Sequence, residues 1–447
     1  MALQFIDHSP SGIGSFERRL IRSHVMQGKN KGKPRRSIKK QRNVAELKCA
    51  LSAPYVIPRQ VFWGDLCLTS FPEQLDSEST ALMHRWFFDI SDVLFPPQFC
   101  TKFDIIKSTW VNCILADEAY FHSTLAISAS YVDFVQRKPA ISSKTLHHIS
   151  QAYALVNNKL SGPFAASDSA IAAVVSLAIY QQVHCQPATG LIHLHGLYRM
   201  IQLRGGIAKL MQENRALALK PLRLDVELAM QNGTCALFHG DEVPVRPVLC
   251  NANLSNRDSF EAAPLMPPIM LALLSFSRLL NKAERSKYLK LDPLDYTETL
   301  LWLLYRLIEA VPPLHPSTEP GACNGDVSCL TMLAFMTTLL PEYTRDGPRC
   351  PLSSNRLGNV VQDIASEFSD SNPPLLLWML FIGGISVLNL KDHPWLSRLI
   401  TNTCERLELD TWADIQRRLS QFPWIFALHE APGRRLWDDV LPSRELS

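Results

Sequence analysis

Apolar residues recur along most of the chain at the three- and four-residue spacing that is typical of amphipathic helices. The clearest example lies between residues 191 and 204, where one apolar stripe runs along a single face: Leu194, Leu197, Tyr198 and Ile201. Gly205 and Gly206 follow directly, and glycine adopts at no steric cost the left-handed conformation that often ends a helix. The pattern therefore predicts a helix over residues 191–204 that stops at a glycine pair.

The helical spacing begins near residue 79 and continues into the C-terminal half, whereas the alternation that is typical of strands is scarce. Side chains that cap helix N-termini precede three of the apolar segments: Asp117, Ser142 or Ser143, and Asp168. Further helices are predicted over residues 269–280, 296–311, 330–340 and 375–390. We therefore expect an all-α body of antiparallel packed helices.

Prolines and glycines indicate where helices break or pack closely. Because proline disrupts a helix interior, seven prolines are predicted to lie in loops: Pro163, Pro187, Pro221, Pro244 and the cluster Pro264, Pro267 and Pro268. Pro373 and Pro374 are expected at the start of a helix, where proline is tolerated. Gly383 and Gly384 lie within that helix and predict a site of close packing, and the tryptophans are predicted to be core anchors.

Composition divides the chain into three parts. Residues 1–50 are polar and basic, and we expect a disordered arm because they bury too little apolar surface to offset the entropy of ordering. Residues 51–78 combine prolines with aromatic residues and are predicted to form an extended linker. Residues 79–447 are predicted to form one all-helical domain, which the apolar content of 47% is sufficient to support.

The excess positive charge is confined to the arm. Eleven cations and no acidic residue lie between residues 18 and 42: Arg18, Arg19, Arg22, Lys29, Lys31, Lys33, Arg35, Arg36, Lys39, Lys40 and Arg42. The rest of the chain carries 34 basic against 42 acidic residues, which is a net charge of −8. A basic arm of this kind is typical of contacts with nucleic acid, a membrane surface or a nuclear import receptor.

A membrane is nevertheless not an expected partner. The longest apolar run covers residues 375–388, and its 14 residues fall short of the roughly 20 that span a bilayer. The N-terminus lacks the charged and apolar regions of a signal peptide, so we expect none. The chain has 11 cysteines and no C-x-x-C pair, which favours reduced thiols in a reducing compartment.

The chemistry-bearing residues do not have the spacing of a catalytic, metal or cofactor site. His193 and His195 are two apart and His147 and His148 are adjacent, so neither pair has the i, i+4 spacing of a helical zinc pair. The pair Cys323 and Cys329 lacks further ligands nearby, and no nucleophile elbow, phosphate loop or dinucleotide fingerprint occurs. We therefore predict no catalytic, metal-binding or cofactor-binding residues, no cofactor and no enzymatic activity.

Residues 193–206 resemble a signature of the fungal-specific transcription factor domain, H-x-x-G-x-x-x-M-(I/V)-x-x-R-G-G. This domain is the helical regulatory region usually found C-terminal to a binuclear zinc-cluster DNA-binding domain. The chain matches the signature at His193, Gly196, Met200, Ile201, Arg204, Gly205 and Gly206. Two later strings are similar to patterns that close the same domain: residues 377–384 with 393–395, and residues 422–424 with 436–437. The resemblance covers roughly residues 80–440.

The chain departs from this family at its N-terminus. A binuclear zinc cluster needs six closely spaced cysteines, but the first 66 residues contain only Cys49. Residues 22–26 are similar to the R-x-H-V-M string that opens certain fungal proteins having this regulatory domain without the zinc cluster. DNA recognition by the usual route of the family is therefore not expected.

The resemblance implies a non-enzymatic transcriptional regulator or co-regulator in a fungal nucleus, with control of a metabolic pathway as a candidate role. The body would bind transcription-machinery proteins, other transcription factors or a small-molecule effector. The eleven arm cations are candidates for binding a nuclear import receptor or for weak, non-specific contact with DNA, and a plain solvated tail is the alternative. Two other functions stay open, namely a nuclear scaffold that binds zinc-cluster factors without DNA contact, and an enzyme with a pocket in the helical body.

Overall fold

The computed structural model describes most of the body of the chain: residues 71–72, 76–86, 95–101, 109–135, 141–238, 268–311, 327–340, 357–362 and 371–444. Within these ranges there is no β-strand, only an isolated bridge between Cys100 and Leu291. The predicted all-α fold class is confirmed. The predicted arm, residues 1–50, and most of the linker, residues 51–78, lie outside the described residues.

Fifteen helices follow one another along the described ranges. They are α1 (Ser77–Arg85), α2 (Thr109–Ala116), α3 (Glu118–Val135), α4 (Ser143–Leu160), α5 (Asp168–Val183), α6 (Pro187–Leu203), α7 (Ile207–Glu213), α8 (Arg215–Asn232), α9 (Pro268–Arg285), α10 (Pro293–Ala310), α11 (Val327–Thr337), α12 (Pro373–Ser386), α13 (Trp395–Arg406), α14 (Trp412–Leu419) and α15 (Phe426–Arg444). A short helical stretch also covers residues 357–362.

Two of the three predicted N-terminal caps are confirmed. Asp117 before α3 and Ser142 before α4 each accept a hydrogen bond from a backbone N–H in the first turn of the helix. The third cap was predicted one residue too late, because the hydroxyl of Ser167 caps α5. Asp168 is instead the first residue of α5, and its carboxylate pairs with Arg204.

Helix α8 lies among α2, α5, α6, α7 and α10, and most of its residues are buried. Pro221 lies inside this helix, so the prediction of a loop there is wrong. Packing around α8 stabilises the helix enough to offset the hydrogen bond that proline removes. The predictions of loops at Pro187 and Pro268 are also wrong, since these prolines are the first residues of α6 and α9. Pro163 does lie in a turn, and Pro244, Pro264 and Pro267 lie outside the described residues.

Two buried tryptophans anchor the C-terminal helices, as predicted. The indole N–H of Trp378 in α12 donates to the carbonyl oxygen of Pro423 at 2.8 Å, and its ring stacks on Phe422 at 5.9 Å. The side chain of Asn281 in α9 donates to the carbonyl oxygen of Trp424 at 2.7 Å and accepts a backbone N–H two residues later at 2.9 Å. The turn before α15 is therefore fixed to both α12 and α9.

The glycine pair in α12 permits close packing, as predicted. A Cβ atom on Gly384 would lie 2.6 Å from a methyl carbon of Leu436 in α15, and one on Gly383 would lie 2.9 Å from Leu388. A side chain at either position would therefore require these leucine side chains to move. The apolar run of the sequence forms α12, which begins at Pro373 as predicted and has 14 residues. In the part of the chain that the structure describes, no helix is long and apolar enough to cross a membrane.

The inner face of α6 provides a stability test with a control on the same helix. Leu197→Ala should lower the free energy of unfolding by about 2–5 kcal/mol, because Leu197 is fully buried and its truncation leaves a cavity. Leu203→Ala removes the same group from a position that is 81% exposed and should change the free energy by less than about 0.5 kcal/mol. Urea unfolding followed by far-UV circular dichroism measures both values. Similar losses in the two variants would contradict the assignment of the faces.

Candidate functional site

The predicted site in the arm lies outside the described residues. This applies to all eleven candidate cations: Arg18, Arg19, Arg22, Lys29, Lys31, Lys33, Arg35, Arg36, Lys39, Lys40 and Arg42. Within the described helical body, the candidate site is centred on the signature helix α6.

The inner face of α6 is part of the core, as predicted. Leu194, Leu197 and Ile201 are buried, and the helix packs against α5 and α8. Tyr198 is only partly buried and its ring lies 5.3 Å from that of Phe238. The apolar positions of the signature therefore serve folding.

The end of α6 is formed by the predicted glycine pair. The φ angles are 107° at Gly205 and 93° at Gly206, which are values that other residues rarely adopt. The N–H of Gly206 donates to the carbonyl of Ile201 at 2.9 Å, and the N–H of Gly205 donates to that of Gln202 at 3.0 Å. This pair of bonds is the Schellman motif, and it leads the chain directly into α7.

Arg204 of the signature joins the ends of three helices. Its guanidinium pairs with Asp168 at the start of α5 and donates to Glu213 at the end of α7 at 2.7 and 2.9 Å. Asn214, which caps α8, donates to the second oxygen of Asp168 at 2.7 Å. A planar guanidinium suits such a forked contact, so Arg204 is a positioning residue for the junction.

The two histidines of the signature helix lie on different faces, as predicted. His193 packs against Tyr153 of α4, with nearly parallel rings whose centroids are 6.0 Å apart, and burial lowers the pKa of His193. The hydroxyl of Tyr153 accepts an N–H from Gln181 of α5 at 2.6 Å. His195 faces solvent. Among the described residues, no three His, Cys, Asp or Glu side chains are grouped as metal ligands.

A third histidine joins the adjacent pair His147 and His148. His122 of α3 and His148 of α4 are buried with their Nδ1 atoms 3.0 Å apart, so one ring donates the hydrogen and the other accepts it. His147 is exposed, and its ring lies edge-on to both. Sequence reasoning missed His122, because only the packing of α3 on α4 brings it to the pair.

Buried charges on α8 were also missed from the sequence. Arg223 donates to Glu227 at 2.6 Å, and a glutamine of α5 donates to the same carboxylate at 3.2 Å. Asp225 accepts the backbone N–H groups of residues 237–238 and the hydroxyl of Tyr305 at 2.9 Å. Burial raises the pKa of Asp225. Charged residues in a helix are usually exposed, so their sequence positions gave no signal of these contacts.

A buried neutral histidine fastens α15 to α11. The Nδ1 atom of His429 accepts the N–H of Ile425 at 3.0 Å, so the ring hydrogen lies on Nε2, which is 2.8 Å from the hydroxyl of Thr338. The rings of Phe335 and Trp424 pack edge-on against the imidazole. Burial lowers the pKa of His429 to about 3. Like the buried groups described above, this one holds helices together.

The family model for the fungal specific transcription factor domain matches residues 99–417, which is more than half of the chain. The match contains the whole of α6 with its glycine pair. No curated protein and no solved structure is significantly similar to the chain.

The role of Arg204 can be tested by removing the contacts of its guanidinium with Asp168 and Glu213. Arg204→Ala should lower the free energy of unfolding by about 1–3 kcal/mol, because two carboxylates lose a charged hydrogen-bond donor. Arg204→Lys should recover only part of this loss, since a single ammonium nitrogen cannot occupy the separate positions of the three guanidinium nitrogens that contact Asp168 and Glu213. Arg417→Ala, at a pair on the surface of α14, is the control and should unfold like the wild type. Full recovery by lysine would contradict the forked geometry.

The burial of His429 predicts a pH dependence of stability. Its pKa in the folded protein, about 3, lies below the ordinary value of 6.5, so the unfolded chain binds a proton more readily. The stabilisation is therefore complete above pH 6.5 and is lost as the pH falls from there towards 3. The wild-type chain should bind about one more proton on unfolding than the His429→Gln variant does. The difference is obtained from the pH dependence of the free energy of unfolding, measured by urea denaturation between about pH 7 and pH 4. An identical pH dependence in the wild type and in His429→Gln would refute the assignment.

Proposed function

Because this chain belongs to the fungal specific transcription factor domain family, we propose that it is a nuclear regulator or co-regulator of transcription. A role in transcription regulation follows from the family, and the family also favours a non-enzymatic protein. The observation that carries the proposal is the family match over the helical body. The signature helix supports it, because its inner face and Arg204 are built into that body as a structural unit.

The helical body, residues 79–447 in our domain division, is proposed to be the regulatory and interaction module. It binds transcription-machinery proteins or other transcription factors and receives a small-molecule effector in a groove between helices. The proposed setting is control of a metabolic pathway.

The proposed mode of recognition does not use a zinc cluster. The first 66 residues hold one cysteine, Cys49, whereas a binuclear cluster needs six thiolates. The basic arm, residues 1–50, supplies nuclear import and weak contact with DNA phosphates, and the protein that the body binds supplies the choice of target.

Nuclear import can be tested by removing the second group of arm cations. Replacing Lys33, Arg35, Arg36, Lys39 and Lys40 with alanine should move a fluorescent fusion from the nucleus to the cytoplasm, because an import receptor reads such basic clusters. Microscopy of living cells measures the ratio of nuclear to cytoplasmic signal.

The matched control removes five exposed cations from the helical body: Lys209, Lys282, Lys287, Lys391 and Arg417. The net charge changes by the same amount, yet this fusion should stay nuclear. A nuclear signal that the arm substitutions leave unchanged would refute the import role.

DNA contact through the arm predicts a strong salt dependence. Each neutralised phosphate releases condensed counterions, so if about five arm cations engage, the log–log slope should be roughly −4 to −5. Affinity should vary little with sequence, because phosphate contacts carry no sequence information. The full chain and a variant with all eleven arm cations replaced by glutamine should be titrated against duplexes of varied sequence.

The glutamine variant should lose this binding, because the remaining chain has a net charge of −8 and repels DNA. Tight, sequence-specific binding by the variant would place recognition in the body and contradict the proposal. No binding by either protein would favour the alternative of a scaffold that acts without DNA contact.

Chromatin occupancy tests the regulatory role itself. The tagged chain should occupy defined genomic sites, and a version without residues 1–45 that carries an unrelated import signal should keep most of them if a partner protein selects the sites. Loss of every site in the import-restored version would assign target selection to the arm. Absence of occupancy by the intact nuclear protein would refute the regulatory role.

A further inference from the structure

The outer face of α6 carries two large aliphatic side chains that the described fold leaves exposed. Ile192 is 70% exposed and Leu203 is 81% exposed, so the described fold buries neither side chain. Gly196 and Arg199 lie between them on the same face. We call these four residues the outer stripe.

The spacing of the outer stripe matches a helix–helix contact. Its members are separated by four, three and four residues, which is the spacing of the seam of a coiled coil. The stripe lies opposite the buried residues Leu197 and Ile201, so α6 has one face in the core and presents two aliphatic side chains towards solvent. From Ile192 to Leu203 the stripe extends about 16 Å along the helix.

Gly196 is a second, independent observation that points to a partner. Apart from its chain neighbours and the backbone of α6 itself, no heavy atom of the described residues lies within 4 Å of the position that a Cβ on Gly196 would occupy, so packing within the described body does not require glycine there. In α12, by contrast, Gly384 has a neighbour at 2.6 Å. Glycine weakens a helix interior relative to alanine, and its benefit at position 196 is a bare backbone that another helix can approach closely.

Charge identifies the kind of helix that fits. Helix α6 contains no acidic residue, and Arg199 and His195 are its exposed basic side chains. A carboxylate on the partner would therefore pair with Arg199 at the middle of the stripe while apolar residues cover Ile192 and Leu203. A second copy of α6 fits poorly, because it would bring the basic side chains of the two copies together without an acid between them.

We propose that the outer stripe of α6 is a docking surface for an acidic amphipathic helix of a partner protein. The proposal rests on the proposed function of the body as an interaction module, and it names the surface and the chemistry of the partner. Ile192 and Leu203 supply the apolar contacts, Gly196 sets the close approach, and Arg199 selects for acidic partners.

A pair of synthetic helical peptides tests the charge selection. Both carry two leucines eleven residues apart to match Ile192 and Leu203, and one has glutamates between them on the same face where its twin has lysines. Fluorescence anisotropy measures their binding to the full chain. The glutamate peptide should bind at least about tenfold more tightly than the lysine twin.

Substitutions in the stripe should change binding without unfolding the protein, because these side chains are exposed. Leu203→Ser should weaken binding of the glutamate peptide about tenfold, and Arg199→Glu should reverse the preference towards the lysine twin. Gly196→Ala should raise the melting temperature but weaken peptide binding, which a merely structural glycine would not do. Tyr288→Ser, at a position 98% exposed between α9 and α10, is the control and should bind like the wild type.

The proposal would be overturned if the glutamate peptide did not bind at millimolar concentration or if the glutamate and lysine peptides bound equally. Unchanged peptide binding by the Arg199→Glu variant would overturn it as well. A dimer of the chain in sedimentation that Leu203→Ser dissociates would make a second copy the occupant, and would also overturn it. The peptide assay requires neither the nucleus nor DNA. Its failure therefore refutes the docking surface alone, whereas failure of chromatin occupancy refutes the proposed function.

Discussion

The packing of the described body depends on the burial of α8 among five other helices. This helix packs against α2, α5, α6, α7 and α10, yet it carries Arg223, Asp225 and Glu227 at buried positions. An unpaired charge in such surroundings is strongly destabilising, so each of these groups needs a partner. Arg223 and Glu227 pair with one another, and Asp225 holds the chain after α8 and Tyr305 of α10. The helices around α8 are therefore placed by directional contacts as well as by apolar packing.

The sequence was sufficient for the features that depend on local chemistry. The buried stripe of α6, its glycine stop, and the caps Asp117 and Ser142 were all predicted, because helical spacing, left-handed backbone and side-chain capping act within a few residues. Three failures, the cap of α5 and the helix starts at Pro187 and Pro268, concern local signals, whereas the others have non-local causes. Pro221 lies inside α8 because tertiary packing outweighs the penalty for proline, and His122 meets His148 only through the packing of two helices.

Most residues of the signature helix are explained by their contacts within the fold, but one is not. Its inner apolar residues and its glycine pair are explained by burial and by the Schellman turn, and Arg204 is explained by its fork between Asp168 and Glu213. Gly196 belongs to the same string, but no packing within the described body explains it. A residue that weakens its helix and has no neighbour to accommodate is best understood through a contact outside the chain.

The distribution of charge limits how such a chain can select its targets. Phosphates are alike in every DNA sequence, so a basic arm gives affinity without choice. The rest of the chain has a net charge of −8, and under the proposed function a protein partner is therefore the source of selection. Helix α6 contains no acidic residue and carries two exposed aliphatic side chains. A partner that docks there gains apolar burial and charge pairing at one surface, and that combination gives specificity that neither contribution provides alone.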